Sequence, residues 1–296
     1  MRVVRIAALV LLAACVPSRP ISPQPPASYS GPIIDVHTHV IEDGENPSAL
    51  QASRPLHLAA MRAAGIQSSV VLPIAPKGDL GKTRALNDLT LSYSKLNPER
   101  VIPFASVHPD DGEAAFAELQ RAAQAGARGL KLHPNTQRFD VASPAVAALV
   151  EKAAQLNLPV TFDAYSPFDA DEIGKLVKLA VTHPSAKLIL AHMGGPRFPE
   201  LIVFWVLPKY GVPRNVWFDL SAAATLYARS PFQEQFVFIC RKVGIDRLLF
   251  GSDFPFFQPT EALAAFHALG FTADEQRQIL YANAHALLNL AGPAPR

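Results

Sequence analysis

From Pro32 onwards, strand-like apolar runs alternate with helical patterns eight times. Strands are expected at Ile33–His39, Ser69–Pro73, Val101–Val107, Ala127–His133, Pro159–Asp163, Lys187–His192, Asn215–Leu220 and Arg247–Asp253. The intervening stretches carry apolar residues at helical spacing, as at Ala115, Leu119, Ala122 and Ala123. Helices are expected near Leu56–Ala64, up to Leu96, from Asp110, and at Ala145–Leu156, Asp171–Val181, Pro199–Tyr210 and Pro231–Val243. Two more, near Glu261–Leu269 and Ala273–Leu290, close the chain. Strands separated by helices pair in parallel. Eight such units predict a (β/α)8 barrel of the TIM type, whose working face is the C-terminal ends of the strands. No linker divides residues 32–296, and a chain with 49% hydrophobic residues can fill a core of that size.

The first 31 residues do not fit this pattern. Arg2 and Arg5 precede the apolar run Ile6–Ala14, which is too short to span a bilayer as a helix. The run ends in Leu12-Ala13-Ala14-Cys15. That ending resembles the bacterial lipoprotein signal, which implies removal of residues 1–14 and lipidation of Cys15. An ordinary secretory signal is the alternative. Residues 15–31 hold Pro17, Pro20, Pro23, Pro25 and Pro26 and read as an extended, semi-rigid tether. The expected location is therefore extracytoplasmic, on the periplasmic side of a membrane, held by lipid rather than by a spanning helix. Without Arg2 and Arg5 the 27 basic residues fall to the number of acidic ones, 25. With no basic run, nucleic acid is not an expected partner. Cys240, in an apolar helical run, is expected to be a buried thiol without a disulfide partner.

Alternate side chains of a strand share a face, so Asp35, His37 and His39 point one way and Ile34, Val36 and Thr38 the other. Two imidazoles one residue apart at a strand end can grip one divalent cation. Later strands end in further groups of the ligand or proton-transfer type: Lys131, His133, Asp163, His192 and Asp253. They gather at one rim of the expected barrel. His57, His183, His267 and His285 fall in helical stretches and are expected at the surface or in packing, while His108 and His133 each precede a proline in a loop.

Four motifs carry a resemblance: Asp35-Val36-His37-Thr38-His39, Gly129-Leu130-Lys131-Leu132-His133-Pro134, Ala191-His192-Met193-Gly194-Gly195 and Phe250-Gly251-Ser252-Asp253-Phe254-Pro255. Together they look like the amidohydrolase superfamily, in the amidohydrolase-related branch that includes aminocarboxymuconate-semialdehyde decarboxylase. The resemblance implies one divalent metal, usually Zn²⁺, held by His37, His39 and Asp253, with His192 as the acid or base. Where that family places a histidine on the fifth strand, this chain has Asp163. Aspartate can also ligate, so the expected ligand set is His37, His39, Asp163 and Asp253, and the added carboxylate brings Mn²⁺ into range. The alternative role for Asp163 is as an acceptor orienting a histidine. Lys131 is expected to neutralise Asp163 or hold an anionic substrate group; a carboxylated, metal-bridging lysine is the alternative. Arg197 and Tyr165 are further candidates for substrate contact.

The expected function is a metal-dependent hydrolase in which His192 moves protons for attack by activated water on a small carbonyl compound. Two alternatives stay open: a non-oxidative decarboxylase of the same superfamily, and a non-catalytic barrel that only binds metal or ligand. Substrate identity and oligomeric state are not legible in the sequence.

Overall fold

The structure is a computed structural model that describes residues 29–41 and 53–290. The signal-like segment 1–14, Cys15 and the tether as far as residue 28 lie outside the described residues, as do Gly44 and Pro47 of the first loop.

Nine strands form the barrel wall: β1 (Ile34–Thr38), β2 (Ser68–Val71), β3 (Val101–Pro103), β4 (Ala105–Ser106), β5 (Leu130–Leu132), β6 (Val160–Phe162), β7 (Leu188–Leu190), β8 (Val216–Asp219) and β9 (Leu248–Leu249). All pairings are parallel, in the orders β1-β2-β3 and β4 through β9. β3 and β4 are one stave interrupted at Phe104, so the ring has the eight staves expected. At that point pairing passes from one neighbour to the other: Phe104 N–H donates to Val71 O at 3.2 Å and Ala105 N–H to Gly129 O at 2.9 Å. The Phe104 ring lies against Gly129, where a Cβ would collide with its Cε2 and Cζ.

The ring closes between the chain after β9 and β1. Val36 N–H donates to Phe250 O at 2.9 Å, Asp253 N–H to His37 O at 2.8 Å and His39 N–H to Phe254 O at 2.7 Å. Of the eighth expected strand, Arg247–Asp253, only Leu248–Leu249 is regular strand, and the chain beyond it bonds to β1 in irregular form.

Helices cover the outside. Several start where a side chain replaces the missing backbone acceptor: Ser53 caps Arg54–Ala63, Ser143 caps Pro144–Gln155, and Thr272 with Glu275 forms a capping box. Leu130 and Leu132 of β5 pack outward into the same apolar cluster as Leu119 and Leu149 of the helices Glu113–Gln124 and Pro144–Gln155. Each such leucine contributes about 1.5–3 kcal/mol by leaving water. Lys131, between the two β5 leucines, is turned to the barrel interior.

Two helical expectations are corrected. Pro199–Tyr210 is not one apolar helix: Ala191–Ile202 is a chain of 3₁₀ turns, followed by short pieces at Val203–Val206 and Leu207–Tyr210. Pro208, inside the expected span, lacks the N–H an unbroken α-helix needs there and falls at the start of the last piece instead. The final helix, expected over Ala273–Leu290, is α at Ala273–Arg277, π at Gln278–Ala282 and α at Asn283–Leu287. The wide turn coincides with Ile279 O accepting from Phe250 N–H at 3.1 Å, which ties this segment to the last stave. Among the described residues no helix is long and apolar enough to cross a membrane.

Candidate active site

The rim at the C-terminal ends of the strands collects the polar groups. β1 brings His37 and His39, and the turn after β9 brings Asp253. His39 Nδ1 donates to Leu72 O at 2.8 Å; a carbonyl only accepts, so the proton sits on Nδ1 and the Nε2 lone pair is bare. His37 Nδ1 donates to Asp219 Oδ2 at 2.9 Å, with both side chains fully buried. Burial opposes ionisation of Asp219, but His37, His192 and Ser221 outweigh it and hold the carboxyl far below the ordinary range. Both Nε2 atoms face Asp253 Oδ1, at 3.6 Å from His37 and 3.7 Å from His39.

This donor set fits a divalent cation. Ligands about 2.0–2.2 Å from a tetrahedral centre lie about 3.4 Å from one another, close to the spacing here. Burial first, then Lys131 and His192 for His37, and His37 and Lys131 for His39, lowers the pKa of both imidazoles, so both are in the neutral ligating form. Each is oriented through its other nitrogen, as metal-binding histidines usually are.

Asp163, expected as a fourth ligand, sits in a second group. It lies within 4.8 Å of His37 and His192 donor atoms, whereas His39 and Asp253 group with His37 alone. Its Oδ2 is 3.1 Å from His192 Nε2, 3.4 Å from His133 Nε2 and 3.6 Å from Lys131 Nζ. Burial raises its pKa, but these three neighbours override that and hold it well below the carboxylate range. Lys131, fully buried, also lies 3.5 Å from His37 Nε2. It therefore touches both groups.

His192 has acceptors on both sides. Nδ1 is 3.1 Å from Ser221 O and 3.0 Å from Ser221 Oγ, and Nε2 faces the Asp163 carboxylate. Burial disfavours its cation, yet Asp163, Asp253 and Asp219 raise its pKa to about 9. The backbone is bent to aim it: His192 has φ 57° and Asp253 φ 65°, a left-handed conformation costing roughly 1–2 kcal/mol for a residue with a Cβ. Gly194 and Gly195 continue that turn at no such cost.

A cavity of about 840 Å³ opens above these groups, with His39, His133, Asp163, His192 and Asp253 among its lining residues. Its walls are largely apolar, with Leu72, Ile74, Leu86 and Leu89, and Lys77, Lys82 and Arg138 also line it. Arg197 and Tyr165 do not line it. The Arg197 guanidinium donates to Ala170 O, and the Tyr165 ring lies against Gly195, where a Cβ would be 3.0 Å from its Cγ.

Asp219, Ser221 and His133 join the site without having been singled out as its working residues. Asp219 ends β8 at the same rim as the other groups, and that position was its only sequence signal. Asp35 sits against the backbone, accepting from His37 N–H at 3.1 Å and Ser252 N–H at 2.9 Å. Burial raises its pKa to about 7. His57 is in packing, buried between Tyr93 Oη at 3.0 Å and Ser69 Oγ at 3.1 Å.

The model of the amidohydrolase family matches residues 34–290. No curated protein matches the sequence. Among solved structures, 2,6-dihydroxybenzoate decarboxylase complexed with 2,6-dihydroxybenzoate superposes with a TM-score of 0.71 at 18% identity, covering 88% of this chain and 99% of the other. A putative amidohydrolase from Staphylococcus aureus gives 0.70 at 19% identity, covering 88% and 100%. A dihydroxybenzoic acid decarboxylase from a Polaromonas species, with bound manganese and 2-nitroresorcinol, gives 0.69 at 17% identity, covering 87% and 97%. At such identities the likeness is one of fold, and all of them share this barrel.

Proposed function

Because the chain belongs to the amidohydrolase family, we propose that it is a metal-dependent enzyme of that family catalysing non-oxidative decarboxylation of a small carboxylic acid. The observation that carries this reading is His192, whose two ring nitrogens both face acceptors, Ser221 O and the Asp163 carboxylate. A ring held that way keeps both protons and works as an acid. Decarboxylation needs an acid: a proton goes to the carbon that loses CO₂, the C–C bond breaks, and its electron pair becomes the new C–H bond. Hydrolysis by activated water needs a group that first takes a proton, and His192 has no free lone pair for it. The decarboxylases among the structural neighbours point the same way.

His37, His39 and Asp253 would hold the metal. A bound divalent cation supplies Lewis-acid attraction for the substrate's oxygens. Asp219 keeps the His37 proton on Nδ1, leaving Nε2 for the metal. Asp163 keeps His192 protonated, and Lys131 balances the carboxylate charge beside an anionic substrate. The apolar cavity wall excludes water from the carbon being protonated. Zn²⁺ and Mn²⁺ are both compatible with two imidazoles and a carboxylate.

The test is product analysis with aromatic carboxylates, esters, lactones and amides, using protein loaded with Zn²⁺ or Mn²⁺ in ¹⁸O-water. Release of CO₂ without ¹⁸O in the organic product is expected. Label in the product with no CO₂ would restore the hydrolytic reading, and no turnover with either metal would favour the binding-only barrel.

A further inference from the structure

We propose that an aromatic and basic patch on the outer wall, built by Trp205, Phe238, Lys209 and Lys242, rests on the surface of an anionic lipid bilayer. Trp205 is 39% exposed, Phe238 54% and neighbouring Tyr210 79%, large apolar groups that a folded chain normally covers. Lys209 Nζ stands 3.4 Å from the centre of the Trp205 ring and Lys242 Nζ 4.7 Å from it; Lys242 is also 5.2 Å from the Phe238 ring. Neither lysine forms an ion pair among the described residues, and Glu234, which lines a shallow cleft with Phe238, is the nearby carboxylate. Tryptophan and tyrosine with lysine are the side chains that settle at a lipid headgroup boundary, where one end is apolar and the other wet. Two lysines that have no ion pair among the described residues complement an anionic leaflet, each strengthening attachment roughly five-fold.

Topology sets the direction. Trp205, Lys209 and Tyr210 lie on the leg that descends from the rim after β7 to the start of β8 at Val216, and Lys242 lies near the end of the helix Gln233–Val243, which descends to β9. Tyr29 stands just before the start of β1, at that same lower end of the barrel. The described chain therefore begins at the end of the barrel toward which the patch lies, and the catalytic rim is at the other end.

Trp205 and Trp217 are the chain's two tryptophans, so a Trp217→Phe background isolates Trp205. The full chain, purified from membranes, is reconstituted into vesicles of phosphatidylethanolamine and phosphatidylglycerol with plain or dibrominated acyl chains. The expected result is loss of Trp205 emission in the brominated vesicles, relieved by Lys209→Ala/Lys242→Ala. Unquenched Trp205 on protein that still floats with the vesicles overturns the proposal, because the anchor alone then holds the barrel away from the lipid. A shift that follows protein concentration and ignores bromine also overturns it, in favour of a second copy on this face. A Cys15→Ser variant separates the two contributions: flotation that it abolishes entirely means the patch has no affinity of its own.

Discussion

Replacing Asp219 by asparagine leaves shape almost unchanged and reverses one proton. In the native site Asp219 Oδ1 accepts from Ser221 N–H at 3.0 Å, from His192 N–H at 3.3 Å and from the Ser221 hydroxyl, while Oδ2 accepts from His37 Nδ1 alone. An amide has a single oxygen. Three donors hold it at the Oδ1 position, so the NH₂ group turns to His37. His37 must then accept at Nδ1 and carry its proton on Nε2, the atom facing Asp253 at 3.6 Å. Binding a metal there requires that proton to move back, opposing a donor against a donor in a fully buried place. The penalty of one such unmade buried bond is about 1–3 kcal/mol, and loss of an outer-shell partner typically costs about 10–100-fold in metal affinity. Both lead to a Kd for Zn²⁺ raised about 10–100-fold, which competition against a chromophoric chelator at pH 7.5 measures directly. Thermal melting of the metal-free protein checks that the barrel is intact. An Asp219→Asn protein that melts normally and binds Zn²⁺ as the native chain does would refute the assignment of His37 Nε2 as a ligand atom.

Other perturbations separate the remaining roles. His192→Gln should lower kcat for decarboxylation about 10²–10⁴-fold while metal affinity stays near native; a parallel loss of metal would make His192 a ligand. His57 has its pKa lowered to about 4 by burial, against 6.5 unperturbed, so the unfolded chain binds the extra proton. Its stability contribution is whole above pH 6.5 and is lost as the pH falls to 4, about 3 kcal/mol in all. Urea melts of native and His57→Gln protein should therefore converge by that amount between pH 7 and pH 4, and a constant gap would mean that His57 is not held neutral. Gly129→Ala forces a methyl into the Phe104 ring and should destabilise by about 1–3 kcal/mol, with Phe104→Leu in the same chain recovering most of the loss in Tm.

The alternation of strands and helices carries the barrel, because each strand's side chains must be apolar on the helix side whatever the reaction. The rim residues were legible for a related reason: a histidine or aspartate ending an apolar strand, as at His37, His192 and Asp253, has no packing role to explain it. Asp219 has the same position but no companion motif, and its role appears only once β8 is folded beside β1. Asp163 illustrates the opposite limit. Its residue type admits ligation, and only the distances to His192, His133 and Lys131 show which partners it has. Pro199–Tyr210 misled because apolar content alone resembles a helix, while Pro208 inside it breaks the ladder. The π turn was invisible, since it answers to a hydrogen bond from Phe250 twenty-nine positions upstream.

Packing around that bond also joins the first stave to the last helical turns of the described chain. Ile34 and Val36 share an apolar cluster with Tyr281, Ala284 and Leu287, and Phe250 is held by Ile279, so part of the first stave's cover comes from residues about 250 positions along the chain. Contacts so far apart along the chain form late and slowly. The segment Gln278–Leu287 thus acts as a latch: until it docks, Ile34 and Val36 keep part of their apolar surface in water.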